Sequence, residues 1–301
     1  MNSSPRSRLT GPARNSPVRG TALAGLDLGV IKIAVRDFGP HALVFGRCLT
    51  ATAALAAVLA VRGQSPLTAA NRRRLPRHLA MALPNGVIPW LGPAYGELTV
   101  YGGLTSILNS TTPLWTAVLA WWLIPTERLR PLSGFGVVVG FLGTALLIFP
   151  DLRIGGATAT LGSGWVLLAA LSYAVAALYQ RRRLQDASPF DAGFWQMALT
   201  ALVMLPLAVP AVAWARLSLV AVMSVLAMGV GASGAGIVLY YWLLNRLGAG
   251  GASTVNYLLP ATAVPWGVVF LHETVTLLMI GGAVIILCGV LLTSRPRSKQ
   301  A

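Results

Sequence analysis

A five-residue motif occurs twice in this chain, once in each half. Asn109, Pro113, Glu127, Gly136 and Gly143 recur as Asn256, Pro260, Glu273, Gly282 and Gly289, offset by 147 residues up to the proline and 146 from the glutamate on. One deleted residue accounts for the change of offset. The segments around both copies are apolar and about one bilayer long, so this is not a soluble solenoid repeat. It is the internal duplication typical of secondary transporters.

Composition agrees with a membrane setting. Hydrophobic residues make up 55% of the chain and charged residues 10%, with a mean hydropathy of +0.70; soluble domains carry roughly 25% charged residues. Taking about 20 residues as a spanning length, ten apolar segments can be drawn: 20–35, 41–61, 78–98, 102–123, 133–149, 163–180, 192–214, 219–244, 251–271 and 275–294. All are expected to be helices, because an open sheet edge cannot be satisfied in hydrocarbon. The first is short, running only from Thr21 to Val35 and including Asp27 and Lys32.

The net charge of +15 would suit a nucleic-acid partner if the arginines formed one patch. Instead they lie between the apolar segments. With the N-terminus inside, 18 Lys and Arg fall on inner segments and 3 on outer ones, Arg36, Arg153 and Arg216, while Lys32 and Arg47 lie within spans. Positive residues are retained on the cytoplasmic side. Both termini are therefore expected in the cytoplasm, as tails 1–20 and 295–301, and no nucleic-acid partner is needed. The halves 21–149 and 163–294, joined by an outer loop 150–162, then hold five spans each. An odd number of crossings turns the second copy upside down relative to the first. Glu127 is placed on the cytoplasmic side and Glu273 on the outer side.

Cys48 and Cys288 sit in apolar runs without metal or redox spacing and read as small core residues. Neither cofactor nor metal is expected. Partners reduce to a small-molecule substrate and membrane lipid, for a monomer or homodimer in the cell (inner) membrane.

The run from Asn85 to Ile148, NGVIPWLGPAYGELTVYGGLTSILNSTTPLWTAVLAWWLIPTERLRPLSGFGVVVGFLGTALLI, resembles the first repeat of an EamA-family protein of the drug/metabolite transporter superfamily. The run from Leu244 to Leu292 is similar to the second, and LSYAVAALYQRRR adds a weaker match. The resemblance extends from about residue 21 to 294. It implies an all-α integral membrane carrier with ten transmembrane helices in two inverted five-helix repeats, exporting small metabolites or drugs through a central cavity. One departure is in span 1. The family's pattern there resembles WGSNFVAIK and this chain reads AGLDLGVIK, so Lys32 is kept while Ala24 and Asp27 replace an aromatic residue and an asparagine.

Polar groups inside hydrocarbon are costly and mark candidate sites. Span 4 carries Asn109, Ser110, Thr111 and Thr112 before Pro113, which removes a backbone donor and loosens the helix, with Trp115 beyond. Span 9 repeats this with Ser253, Thr254, Asn256 and Tyr257 before Pro260. Span 3 adds Asn85 and Trp90 among Pro84, Pro89 and Pro93, a proline density that kinks a helix and frees carbonyls toward a cavity. The substrate-binding candidates are thus Asn85, Trp90, Asn109, Thr112, Trp115, Asn256 and Tyr257. In the competing reading, the Asn, Ser and Thr groups bridge neighbouring helices. Asp27 and Glu97 are candidates for proton coupling, or else form ion pairs with Lys32 and Arg47. Glu127 and Glu273 serve as gates or as helix caps. Tyr240, Tyr241 and Trp242 suit an interfacial aromatic belt or a stacking surface.

Two other classes fit parts of the sequence. The short first span admits a transport-inactive interaction protein or degenerate homologue. Gly231-Ala232-Ser233-Gly234 matches an intramembrane serine protease motif, which would need His41 or His272 beside Ser233. Close helix packing through small residues explains that run better, and no enzymatic activity is expected.

Overall fold

The structure, a computed structural model, describes residues 16–123, 131–150, 156–184, 187–212, 218–243, 264–265, 268–269 and 275–293; for 16–30, 32, 33 and 150 it describes the backbone alone. Every regular element among the described residues is helical. In chain order these are α1 (Ser16–Val61), α2 (Ala69–Ala82), a π-turn (Leu83–Val87), α3 (Ile88–Gly96), α4 (Gly102–Asn109), α5 (Thr112–Leu123), α6 (Pro131–Pro150), α7 (Gly156–Arg183), α8 (Pro189–Val212), α9 (Leu219–Ala227), a second π-turn (Met228–Ala235), α10 (236–243) and α11 (Leu277–Thr293).

Five helical segments among these residues are long and apolar enough to cross a membrane: Ala34–Val61, Pro131–Phe149, Gly156–Arg183, Pro189–Val212 and Leu219–Leu243. Leu277–Thr293 is apolar but shorter. Their outward faces carry Phe135, Leu142, Leu161, Leu202 and Val209, each more than half exposed. Such a surface is disfavoured in water and natural in lipid.

Helical backbone begins at Ser16, earlier than apolarity alone draws it, and continues to Gly39. The first helix is therefore not short. At 1.5 Å per residue it reaches about 34 Å, enough for a hydrocarbon core of about 30 Å. Apolarity misjudges the start because helical hydrogen bonds belong to the backbone, which forms them under polar side chains too. Gly39 breaks the helix with φ 70° and ψ 163°, a combination open essentially to glycine, and Pro40 starts the second arm. No atom lies within 4 Å of where a Cβ at Gly39 would sit, so the demand is purely conformational. Gly39→Ala is expected to cost about 1–3 kcal/mol, read as a lowered melting temperature of the detergent-purified protein with an unchanged helical spectrum.

Helix ends meet in two sets that match an up-and-down threading. At one end Arg182 donates to the Leu123 carbonyl (2.9 Å), Arg77 to that of Arg183 (3.3 Å) and Trp195 to that of Pro66 (3.2 Å), while Arg62 lies over the Phe190 ring. Cations on terminal carbonyls complement the negative end of a helix. At the other end Ser218 donates to Asp37 (2.5 Å), and the Tyr95 hydroxyl meets His41 Nε2 (2.8 Å). The first set joins the ends that the arginine count assigns to the inner face, and the second joins those assigned to the outer one.

Two buried clusters hold the bundle. One gathers Leu43, Cys48, Trp90, Met197, Met204 and Val225 from α1, α3, α8 and α9. The other gathers Ile107, Leu114, Leu147 and Ile286 from α4, α5, α6 and α11. Cys48 is fully buried, as expected, but Cys288 is exposed on α11 and is no core residue.

α6 and α11 cross through glycines. A Cβ on Gly136 would lie 2.7 Å from the Gly289 carbonyl oxygen, and one on Gly143 would lie 3.1 Å from that of Gly282. In the duplicated motif Gly136 corresponds to Gly282 and Gly143 to Gly289. Each glycine of one copy thus meets the other glycine of the second copy, with the two helices antiparallel. Reciprocal contacts of this kind are what a two-fold relation between copies produces.

Candidate functional site

The three prolines of span 3 do not interrupt its helix. Helical structure runs from Ala69 to Gly96, and the strain is absorbed by the π-turn at Leu83–Val87. A π-turn inserts a residue and leaves backbone carbonyls to find new partners. The carbonyl of Pro84 accepts from the Ser172 hydroxyl of α7 at 3.0 Å, so this freed carbonyl is used for packing and not aimed at a cavity.

The second π-turn, at Met228–Ala235, includes Ser233. The 147-residue offset of the duplicated motif carries 83–87 onto 230–234, inside this turn. Each presses a glycine against a polar pair on another helix. A Cβ on Gly86 would run into Thr200 and Gln196 of α8; one on Gly229 would run into Thr50 and the Arg47 carbonyl of α1.

Around the first turn lie buried polar side chains. Asn85, 4% exposed, donates to the Tyr241 hydroxyl over a long 3.4 Å, and Gln196 donates to Thr200 at 3.2 Å. Tyr241 is buried, which places it in the helix bundle and not in an interfacial belt. Around the second turn, Nε of the buried Arg47 donates to Ser233 Oγ at 2.9 Å, and its guanidinium lies 4.5 Å from the centre of the Trp90 ring. Sequence reasoning placed Arg47 only as a partner for an acid. Its signal was a cation within an apolar span, and its cation–π contact is worth about 2 kcal/mol or more when desolvated.

Span 4 breaks where its proline predicts, between α4 and α5. Pro113 has no N–H to give the Asn109 carbonyl, and the Thr112 hydroxyl donates to that carbonyl at 2.7 Å instead. Ser110 and Thr111 likewise donate to Ile107 (2.6 Å) and Leu108 (2.7 Å). These hydroxyls repair their own helix and do not bridge neighbours. Thr112 is 7% exposed.

Asn109 and Trp115 flank the repaired break. The Asn109 Oδ1 and the Trp115 Nε1 are both buried without a hydrogen-bond partner, although the Trp115 ring packs edge-on against Phe141 at 4.7 Å. One acceptor and one donor are thus left unused beside a helix break, where buried polar groups are normally paired. Glu97 is 3% exposed at the C-terminal cap of α3, two residues beyond Tyr95, whose ring stacks on Trp165 (5.1 Å) and meets His41 edge-on. The backbone at Asp27 is helical. Glu127, Asn256, Tyr257, Pro260, Glu273 and His272 lie outside the described residues. His41 pairs with Tyr95 and Ser233 with Arg47, so the described residues do not supply the histidine–serine pair of a protease.

Long apolar helices, lipid-compatible outer faces and polar groups buried inside the bundle define a multi-pass membrane protein of helical type. The EamA-like transporter family model matches the chain twice, over residues 20–149 and 160–295, and the chain belongs to that family. It is similar to the uncharacterized transporter YoaV of Bacillus subtilis, with 26% identity over 93% of this chain and 96% of that protein. A chloroplastic WAT1-related protein of Arabidopsis thaliana is 27% identical, over 83% of this chain and 67% of its own length. An uncharacterized transporter of Archaeoglobus fulgidus is 22% identical over 91% and 95%. A solved crystal structure shares the fold with a TM-score of 0.63 at 18% identity, covering 93% of this chain and 97% of its own.

Proposed function

We propose that the chain is a secondary-active carrier that exports a small polar or amphipathic metabolite across the cell (inner) membrane by alternating access. In this reading ten spanning helices form two inverted halves, 21–149 and 163–294, with both termini in the cytoplasm. The reciprocal crossing of Gly136 with Gly289 and Gly143 with Gly282 carries the proposal. An antiparallel two-fold between duplicated halves is the frame on which inverted-repeat carriers rock about a central site. The two π-turns, related by the motif offset, support the same frame.

The substrate site is assigned to Asn85, Trp90, Asn109, Thr112 and Trp115, with Asn256 and Tyr257 as the counterparts from the second half. Thr112 contributes by satisfying the Asn109 carbonyl at the break, and Asn109 and Trp115 offer the acceptor and donor. Pro113 and Pro260 set the helix breaks. Glu97 and Asp27 are the groups through which protons would couple, and Glu127 and Glu273 gate opposite faces. Inside-out membrane vesicles containing the chain are expected to accumulate at least one solute of a metabolite panel, faster under a proton gradient. Equal uptake by vesicles lacking the chain, for every solute, would remove the proposal.

A further inference from the structure

Arginines from two helices meet at the end of the bundle that the arginine count assigns to the inner face. Arg77 donates to the carbonyl of Arg183, the last residue of α7, and Arg182 donates to that of Leu123, the last residue of α5. Arg77, Arg182 and Arg183 are all exposed, and so is Arg73, one turn before Arg77 on α2. We propose that Arg73, Arg77, Arg182 and Arg183 bind the phosphate of an anionic phospholipid of the inner leaflet. The proposal needs the membrane setting alone and does not rest on the carrier reading.

Retention of positive residues on the cytoplasmic side explains why these cations lie at this end. It does not bring Arg77 onto the end of a helix 106 residues further along the chain. The carbonyls that hold the guanidiniums offset their charge only in part. A helix C-terminus carries about half a negative unit, so the ends of α5 and α7 leave roughly two positive charges of Arg77, Arg182 and Arg183 unbalanced. The one carboxylate among the described residues at this face, Asp191, bonds to Ser188. Each carbonyl bond also occupies only one of the five N–H donors of a guanidinium, and the Arg183 side chain makes none among the described residues. The free donors form planar forks that match phosphate oxygens.

The surface on the membrane side of these cations makes the ligand a lipid. Trp121 and Trp122 precede Leu123 on α5, and Leu79 and Leu83 follow Arg77 into span 3; all four are exposed, Trp122 by 76%. Exposed indoles at a helix end belong at headgroup level, and the leucines further in face acyl chains. A soluble anion would engage the cations and leave this apolar surface unused, whereas a phospholipid engages both. The cytoplasmic leaflet is also where anionic headgroups meet basic residues beside a span.

The test is thermal unfolding of the full chain in detergent with added dioleoyl phosphatidylglycerol, dioleoyl phosphatidylcholine or inorganic phosphate, at constant ionic strength. At about 0.1 mM, phosphatidylglycerol is expected to raise the melting temperature by about 2–4 °C more than phosphatidylcholine does, and phosphate to cause no shift. R77Q/R182Q/R183Q is expected to lose about half or more of that difference, and R6Q/R8Q/R14Q, which removes equal charge from the N-terminal tail, to keep it. Equal shifts from the two lipids, a shift from phosphate as large as that from phosphatidylglycerol, a full difference in R77Q/R182Q/R183Q, or an equal loss in the tail variant overturns the proposal. R183Q breaks no hydrogen bond among the described residues. Should the triple variant not yield monodisperse protein, an undiminished difference in R183Q overturns the proposal in its place.

Discussion

Gly289→Val is expected to prevent stable assembly of the bundle, while Gly281→Ala on the same helix leaves it intact. A Cβ at position 289 would sit 2.5 Å from both the Gly136 carbonyl oxygen and the Gly140 nitrogen. Both obstacles are backbone, so no rotamer change relieves the clash and the helices must separate. Overpacking typically costs about 1–3 kcal/mol, and a backbone-on-backbone clash belongs at the upper end of that range or beyond it. Helix pairs in lipid lack a hydrophobic force to restore contact once close packing is lost. By contrast, nothing lies within 4 Å of a Cβ built on Gly281, so its substitution should stay within about 0.5 kcal/mol. Size-exclusion profile and melting temperature in detergent check both. A folded, wild-type-like Gly289→Val protein would refute the crossing.

Asn109→Ala is expected to lower transport about tenfold or more, a loss of at least ~1.4 kcal/mol of substrate interaction, without lowering stability. The combination distinguishes a binding role from a structural one. The Asn109 Oδ1 makes no hydrogen bond within the protein, so its removal breaks none. Burying an unpaired polar atom costs about 1–3 kcal/mol, and the alanine variant should melt at the wild-type temperature or above it. Asn256→Ala is expected to impair transport likewise, as the duplicated counterpart. Transport by both variants at the wild-type rate would end the assignment of the asparagines to substrate.

Much of this architecture was legible in the sequence because it rests on spacing. The motif glycines repeat at a fixed offset, and the structure turns that offset into a reciprocal crossing. Pro113 foretold a break because a missing N–H has a local consequence. What spacing could not reveal depends on neighbours. Whether Thr112 bridges to another helix or repairs its own is decided by rotamer and by the orphaned Asn109 carbonyl. Span 3 had the prolines of a broken helix and accommodates them in a π-turn that bonds to Ser172 of α7 and packs against Gln196 and Thr200 of α8. Tyr241 has the composition of an interfacial residue, and only packing shows it buried. Arg47 was visible as a misplaced charge, but its partners Ser233 and Trp90 are 186 and 43 residues away along the chain. Long-range pairings of that kind leave no local signature.

Solute counterflow in proteoliposomes holding only the purified chain tests the central claim most directly. Vesicles preloaded with unlabelled solute and diluted into a trace of the same labelled solute should show a transient overshoot of internal label. An overshoot requires one site that returns loaded from either side. Monotonic equilibration would indicate an open pore, and no entry of label for any solute that vesicle uptake identifies would show that the chain is no carrier.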